Sequence, residues 1–292
     1  MSKNCTKSGT RDTLNQTKFR IKKHLGQNFL VDQNILDKII NASNIDKTTC
    51  VIEVGPGFGA LTDKLLQKAK KVLAYEIDKE LIPILKSKFK DTNNLTLLNQ
   101  DILKTDIDKD IEKYFENENE IIVCSNLPYY ITTPILMRFL ETSKRISKLI
   151  LMMQTEVARR ITSKPNTKDY NALSIVIDYR SVATYLFKVP KTVFIPTPKV
   201  DSAIVQIEVR KEPVNQPANE PFFFKFVHNC FAQRRKTLIN NLLSAYPEHS
   251  RIEFETILEK HKLNLAIRAE AIEPGLFVNL SNDVFIIMDD KK

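Results

Sequence analysis

Apolar residues along this chain fall into short unbroken runs separated by stretches of helical period. Strand-like runs occur at Cys50–Val54, Val72–Tyr75, Leu95–Leu98, Ile121–Cys124 and Ile146–Met153. Between them lie amphipathic patterns at Ala60–Ala69, Lys79–Phe89, Ile107–Phe115 and Pro134–Leu140, and an earlier one begins at Asn34. Short apolar strands alternating with such helices predict an α/β fold, with a parallel, Rossmann-like sheet covered by helices on both faces. A helix over Asn171–Tyr179 and two late strands, Tyr185–Val189 and Ala203–Val209, follow; a Pro-rich loop, Pro190–Pro198, joins the two strands. The polar, triple-proline stretch ending at Pro221 reads as a linker. Beyond it, Phe222–Phe231, Lys236–Leu243, Ile252–Lys262 and Leu276–Leu280 predict a small all-α domain. The expected organisation is a flexible basic tail over 1–21, an α/β domain over 22–211, a linker over 212–221 and a helical domain over 222–292.

Composition narrows the class. A 42% hydrophobic content in 292 residues excludes a disordered chain and allows a sizeable core. No apolar run approaches the roughly 20 residues that span a bilayer, and no N-terminal run resembles a signal-peptide core. The four cysteines are unclustered, with no C-x-x-C pair, so neither a metal site nor a disulfide framework is expected. A reduced, cytoplasmic, monomeric protein with no membrane partner is the working expectation. The net charge of +9 points to a polyanion, and its distribution says more. Residues 1–24 carry a net +6, residues 25–137 a net −4, residues 138–199 a net +8 and residues 200–292 a net −1.

Three of the six glycines, Gly55, Gly57 and Gly59, fall directly after the first strand run and before a helix. In a doubly wound sheet that turn sits at the carboxyl end of a strand, where nucleotides bind. Gly55-Pro56-Gly57-Phe58-Gly59-Ala60 also satisfies the dinucleotide pattern, and Glu76 follows at the spacing of a ribose-binding acid. An NAD-dependent oxidoreductase is therefore a rival on this motif. Two features oppose it. Pro56 removes an amide that a pyrophosphate turn would use, and a second acid, Asp101, follows the third strand. One acid for a ribose diol and one for an adenine amino group suit a phosphate-free adenosine cofactor, S-adenosylmethionine.

After the fourth strand comes Asn126-Leu127-Pro128-Tyr129. Adenine N6 is a poor nucleophile because its lone pair is delocalised into the ring. The Asn126 side-chain oxygen and a backbone carbonyl near Pro128 are placed to accept hydrogen bonds from that amine and aim its lone pair at a methyl donor. Such catalysis is positioning and electrostatics, with no strong base and no metal. Tyr129 is expected to stack on the base.

Seven segments of the chain, taken in order, resemble the ribosomal RNA adenine N6,N6-dimethyltransferases of the KsgA type. They are Lys23 to Leu30 (KHLGQNFL), Glu53 to Gly59, Glu76-Ile77-Asp78, Gln100-Asp101, Asn126 to Tyr129, Phe194 to Ser202 (FIPTPKVDS) and Phe231 to Leu238 (FAQRRKTL). The resemblance spans about residues 22–280 and leaves only the first 20 or so outside. It implies an S-adenosylmethionine-dependent enzyme that dimethylates two adjacent adenosines in the 3′-terminal hairpin loop of small-subunit (16S) rRNA, within the assembling subunit. It implies cofactor contacts from Asn28, Leu30, Gly55, Gly57, Glu76, Asp101 and Asn126, and a reaction site of Asn126, Leu127, Pro128 and Tyr129. By the same resemblance, Phe194 stacks on the target base opposite Tyr129, although a loop ring packed on the core is the plainer reading of that residue. Leu127 and Pro56 favour this family over the Erm-type enzymes that share its scaffold.

Arg159-Arg160 and Arg234-Arg235-Lys236 are the tightest basic clusters of the folded chain and candidate phosphate contacts. Read blandly, each is a solvated helix face. A non-catalytic RNA-binding assembly or transcription factor on the same fold is the second rival, and the intact Asn126–Tyr129 tetrapeptide argues against it.

Overall fold

The computed structural model describes residues 19–22, 25–116, 118, 120–142, 145–213 and 215–289. Most of the expected basic tail lies outside these residues, as do Lys23 and His24 of the first motif. The tail nevertheless ends earlier than its expected boundary at residue 21. Phe19 is buried against Phe29 and Phe58, because an aromatic ring adjoining an apolar cluster is better packed than solvated.

The strands are β1 (Phe29–Leu30), β2 (Cys50–Val54), β3 (Lys71–Tyr75), β4 (Leu95–Leu98), β5 (Ile121–Asn126), β6 (Ile146–Gln154), β7 (Ser181–Val189), β8 (Phe194–Ile195) and β9 (Ser202–Val209). The helices of the α/β part are α1 (Gln33–Ser43), α2 (Ala60–Lys68), α3 (Leu81–Lys88), α4 (Ile107–Phe115), α5 (Thr132–Thr142) and α6 (Thr155–Ile161). Then come α7 (Ala172–Arg180), α8 (Glu220–Cys230), α9 (Leu238–Ala245), α10 (Arg251–Lys260) and α11 (Pro274–Asp289). Seven strands form one sheet in the order β4-β3-β2-β5-β6-β9-β7, and β1 pairs with β8 in a separate two-stranded ribbon. All five residues of β2 are buried, as they must be in a central strand with helices on both faces.

The sheet is mixed: its alternating strands are parallel, as their pattern predicts, and the late strands add an antiparallel part. Strands β2 to β6 pair in parallel, but β9 runs antiparallel to β6, with Met152 opposite Ile204. Parallel neighbours need a crossover between them. The strand order shows where the crossover helices carry the chain and where β9 inserts between β6 and β7.

The chain divides into two compact units. One runs to Ala158 and takes in Thr184–Val209; the other comprises Arg159–Ala183 and the chain from Arg210 onward. The sequence boundaries placed residues 159–183 in the α/β domain, and the structure groups them with the helical one. Tyr170, Ile175 and Tyr179 pack in the same core as Phe223, Phe226, Phe254 and Phe277. Apolar periodicity identifies α7 as amphipathic but does not say which core its apolar face joins. Helix α11 also continues well past the predicted Leu280, and its Val284 is fully buried.

The turn between β2 and α2 depends on glycine. Gly59 has φ +72°, and a Cβ there would stand 2.6 Å from the Phe89 ring and 3.0 Å from Leu85. Gly55 has φ +68°, but a Cβ there meets nothing nearer than Pro128 at 4.0 Å. Left-handed backbone costs a residue with a Cβ about 1–2 kcal/mol, and overpacking adds roughly 1–3 kcal/mol. Gly59→Ala is therefore expected to lower unfolding stability by roughly 2–4 kcal/mol in urea titrations, and Gly55→Ala by only the backbone share. Equal losses for the two would mean that the Phe89 contact carries no strain.

Candidate active site

The site lies in the α/β unit, at the carboxyl ends of β2, β3 and β5. Each strand end delivers one functional element. Gly55 N–H bonds the Tyr75 carbonyl at 2.8 Å, tying the glycine turn to β3, and Val54 N–H bonds Ser125 Oγ at 2.8 Å, tying it to β5. From α3, Lys88 Nζ donates to the Phe58 and Gly59 carbonyls at 2.9 and 3.0 Å, so a cation sits beneath the turn.

Glu76 follows β3 directly and is almost fully buried. Its Oε2 accepts from Gly57 N–H at 3.2 Å and its Oε1 from Asp78 N–H at 2.8 Å. Burial outweighs these bonds and pushes its carboxyl up to about 7. Glu53, on β2 beside it, is 1% exposed, and its Oε2 has no partner among the described residues. Burial, reinforced by Glu76, pushes that carboxyl up to about 8. Asp101 closes a local turn in which its Oδ1 accepts from Leu103 N–H at 3.0 Å.

At the end of β5 the tetrapeptide turns through a short 3-10 segment, Tyr129–Ile131. Asn126 Nδ2 donates to the Asn28 carbonyl at 3.2 Å, which fixes the amide and leaves Oδ1 as the acceptor. The Pro128 carbonyl already accepts from Ile131 N–H at 3.2 Å and Thr132 Oγ1 at 3.1 Å. The Leu127 carbonyl accepts no hydrogen bond among the described residues. Tyr129 is oriented by a 2.6 Å hydrogen bond between its hydroxyl and Ser202 Oγ. Tyr130, next along, is 54% exposed and faces the same cavity.

One cavity joins these parts. Asn28, Leu30, Gly55, Gly57, Glu76 and Asp101 line it, and so do Asn126, Leu127, Pro128 and Tyr129. Phe194, which the resemblance implied as a ring stacking opposite Tyr129, does not, and of its two readings the structure shows the ring packed on the core. It is 1% exposed, pairs with Leu30 across the β1–β8 ribbon and packs in the main core. The pairing turns a Pro-rich loop into a strand and draws the ring inward. The five basic candidates are all exposed and all belong to the helical unit. Arg234 already pairs with Glu270 at 2.8 Å, so Arg235 and Lys236 are the freer members of their cluster. The sequence placed Gln27 only within a segment expected to fold over the cofactor, and it gave no role to Glu53 or Asp78, although the motifs contain both. The two-residue spacing of Glu76 and Asp78 after a strand was the one signal that both carboxylates belong to one site.

The chain matches the model of the family described as ribosomal RNA adenine dimethylase over residues 18–284. The chain belongs to that family. The ribosomal RNA small subunit methyltransferase A of Lactococcus lactis is 46% identical over 273 residues, covering 94% of this chain and 93% of that one. Its counterpart from Bacillus pumilus is 44% identical, covering 94% of each. Among solved structures, a dimethyladenosine transferase from Plasmodium falciparum superposes with a TM-score of 0.72 at 26% identity, covering 86% of this chain and 95% of that one. The 23S rRNA methyltransferase ErmE does so with a TM-score of 0.66 at 26% identity, covering 88% and 99%.

Like other members of the dimethylase family, the chain is a methyltransferase, and its cofactor is S-adenosylmethionine. The residues fit that group. Glu53 and Glu76 are buried carboxyls with too few donors, a surrounding that favours a cationic ligand, and the cavity walls around them are otherwise mostly apolar. Without a ligand, these acids oppose the fold as they ionise. The unfolded chain releases the Glu53 proton near pH 4.5, whereas the folded one keeps it to about 8. The stability this proton confers is complete below pH 4.5 and is lost as pH rises to about 8. The limiting slope is about 1.4 kcal/mol per pH unit. Calorimetric melting of the cofactor-free protein across this range should show Glu53→Gln with a flatter decline than the native chain. Parallel declines would show that Glu53 is ionised throughout.

Proposed function

We propose that this enzyme dimethylates N6 of two adjacent adenosines in the 3′-terminal hairpin loop of small-subunit rRNA. The observation that carries the reading is the shared cavity, in which the Asn126–Tyr129 turn faces the glycine turn, Glu76 and Asp101. Both named relatives above are small-subunit rRNA methyltransferases, which supports the same substrate for this chain.

In this reading Glu76 accepts from the ribose hydroxyls of the cofactor and Asp101 from its adenine amino group. Gly55 and Gly57 let the backbone approach the ligand, while Asn28 and Leu30 cover it. When bound, S-adenosylmethionine supplies an electrophilic methyl group. Asn126 Oδ1 and the Leu127 carbonyl accept from the target amine, favouring a tetrahedral nitrogen whose lone pair lies in line with that methyl. Two acceptors held in place before reaction cost no reorganisation during it. Tyr129, fixed through Ser202, stacks on a base swung out of its RNA stack. Methylation replaces one N–H and releases its proton to solvent; the monomethyl amine keeps one N–H for one of the two acceptors, so the same site serves a second transfer.

Arg159, Arg160, Arg235 and Lys236 supply phosphate contacts on the helical unit, which recognise RNA shape more than sequence. The substrate form is the assembling small subunit, and the enzyme acts there as a cytoplasmic monomer. No helix among the described residues is long and apolar enough to cross a membrane.

Incubation with methyl-labelled S-adenosylmethionine and small subunits lacking the modification should place label on two adjacent hairpin adenosines. Label elsewhere, or none, would overturn the assignment. Asn126→Ala should lower transfer by about 10²-fold or more while subunit binding persists. Parallel loss of binding and transfer would make Asn126 a structural residue.

A further inference from the structure

The segment preceding α1 crosses the cofactor cavity, and its attachment points are specific. Residues Leu25 to Leu30 all line the cavity. At one end Phe29 packs on Phe58 of the glycine turn, with ring centroids 4.5 Å apart. In the middle the Asn28 carbonyl receives the Asn126 amide. At the other end the attachment is polar and converges on one carboxylate. Asp78 has a fully buried side chain. Its Oδ1 accepts from Lys22 Nζ at 2.6 Å and from Glu80 N–H at 3.0 Å, and its Oδ2 accepts from Gln27 Nε2 at 2.8 Å. Gln27 Oε1 in turn accepts from Lys22 N–H at 2.8 Å, and Lys22 Nζ also reaches Glu80 at 3.0 Å.

Neither Asp78 nor Lys22 lines the cavity. A buried carboxylate is retained only where it is paired, and here both side-chain donors come from the covering segment. We propose that Asp78 is a positioning residue for cofactor retention: through Lys22 and Gln27 it latches the Leu25–Leu30 segment over the cavity and thereby holds Asn28 against Asn126. The inference rests on the cofactor reading and is independent of the RNA target. The latch also sits on the cofactor acid, because Asp78 N–H bonds Glu76 Oε1. Segment, ribose-binding carboxylate and reaction amide therefore form one connected set. Burial favours the neutral form of Asp78, but its hydrogen bonds to Lys22, Glu80 and Gln27 hold the carboxyl below its usual range, and Asp78 raises Lys22 in return. The latch thus stays charged on both sides across neutral pH, so retention of the cofactor should not vary through this pair.

Truncating one partner of a buried hydrogen-bonded ion pair acts mainly on the dissociation rate. The test uses the full chain and S-adenosylhomocysteine, a stable probe of the cavity, with binding by calorimetry, release by stopped flow and backbone hydrogen exchange of residues 25–30. Asp78→Asn is expected to weaken binding about tenfold, equivalent to about 1.4 kcal/mol, through faster release, and to raise exchange in residues 25–30. Lys22→Met attacks the latch from its partly exposed partner, whose aliphatic stem Met keeps, and should weaken binding about threefold. In the double variant the two effects should be less than additive, since both cut one link. Lys64→Met removes a 2.6 Å ion pair with Asp37 elsewhere in the same unit and should leave binding unchanged. Binding and exchange within twofold of the native chain for both Asp78→Asn and Lys22→Met would overturn the proposal, as would full additivity. Failure of the native chain to bind the probe would instead overturn the cofactor reading.

Discussion

The site depends on carboxylates held, out of water, at the carboxyl ends of neighbouring parallel strands. A group there loses its water, and each carboxylate must find donors or keep its proton. Asp78 finds donors in Lys22, Gln27 and the Glu80 amide and stays ionised. Glu76 finds two backbone amides and is left between states, and Glu53 has an oxygen with none. This gradation separates the roles. The fully satisfied acid ties Lys22 and Gln27 to the end of β3, and the poorly satisfied ones line the cavity.

The same strand ends explain why cofactor and substrate chemistry share a cavity. Strands β2, β3 and β5 are direct neighbours in the sheet, so the glycine turn, Glu76 and Asn126 emerge side by side. Hydrogen bonds between adjacent ends, from Gly55 to Tyr75 and from Val54 to Ser125, make the three behave as one rim. Asn126 is oriented by a backbone carbonyl 98 residues earlier in the chain, so its amide is set by a segment that lines the same cavity. The basic residues assigned to RNA belong to the helical unit. The +8 block of the sequence divides between the units, and Arg159, Arg160, Lys164, Lys168 and Arg180 fall in the helical one.

Much of this was readable before any coordinates. β2 and β4 have the predicted bounds, and β3, β5 and β6 differ from theirs by one or two residues at an end, because an unbroken apolar run in an α/β pattern has one stable use. Gly55, Gly57, Glu76, Asp101 and the Asn126 tetrapeptide were found from residue type and spacing, and all of them line one cavity. The strand that carries Phe194 was not legible, because two residues leave no periodic signal. Its pairing with Leu30 lies 164 residues away in sequence, and that pairing buries the ring. Helix α7 was assigned to the wrong unit for a related reason, since amphipathicity names a buried face but not its partner.

By itself, then, the sequence determined the element order, the strand-end chemistry and the family, because these follow from local pattern and from residue types that few other folds need. Tertiary structure alone decided the antiparallel insertion of β9, the burial of Phe194, the proton held by Glu53 and the latch on Asp78. Each of these depends on which distant segments meet, and on how much water and how many donors remain when they do. Desolvation and hydrogen-bond satisfaction are properties of the assembled neighbourhood, so no window of sequence contains them.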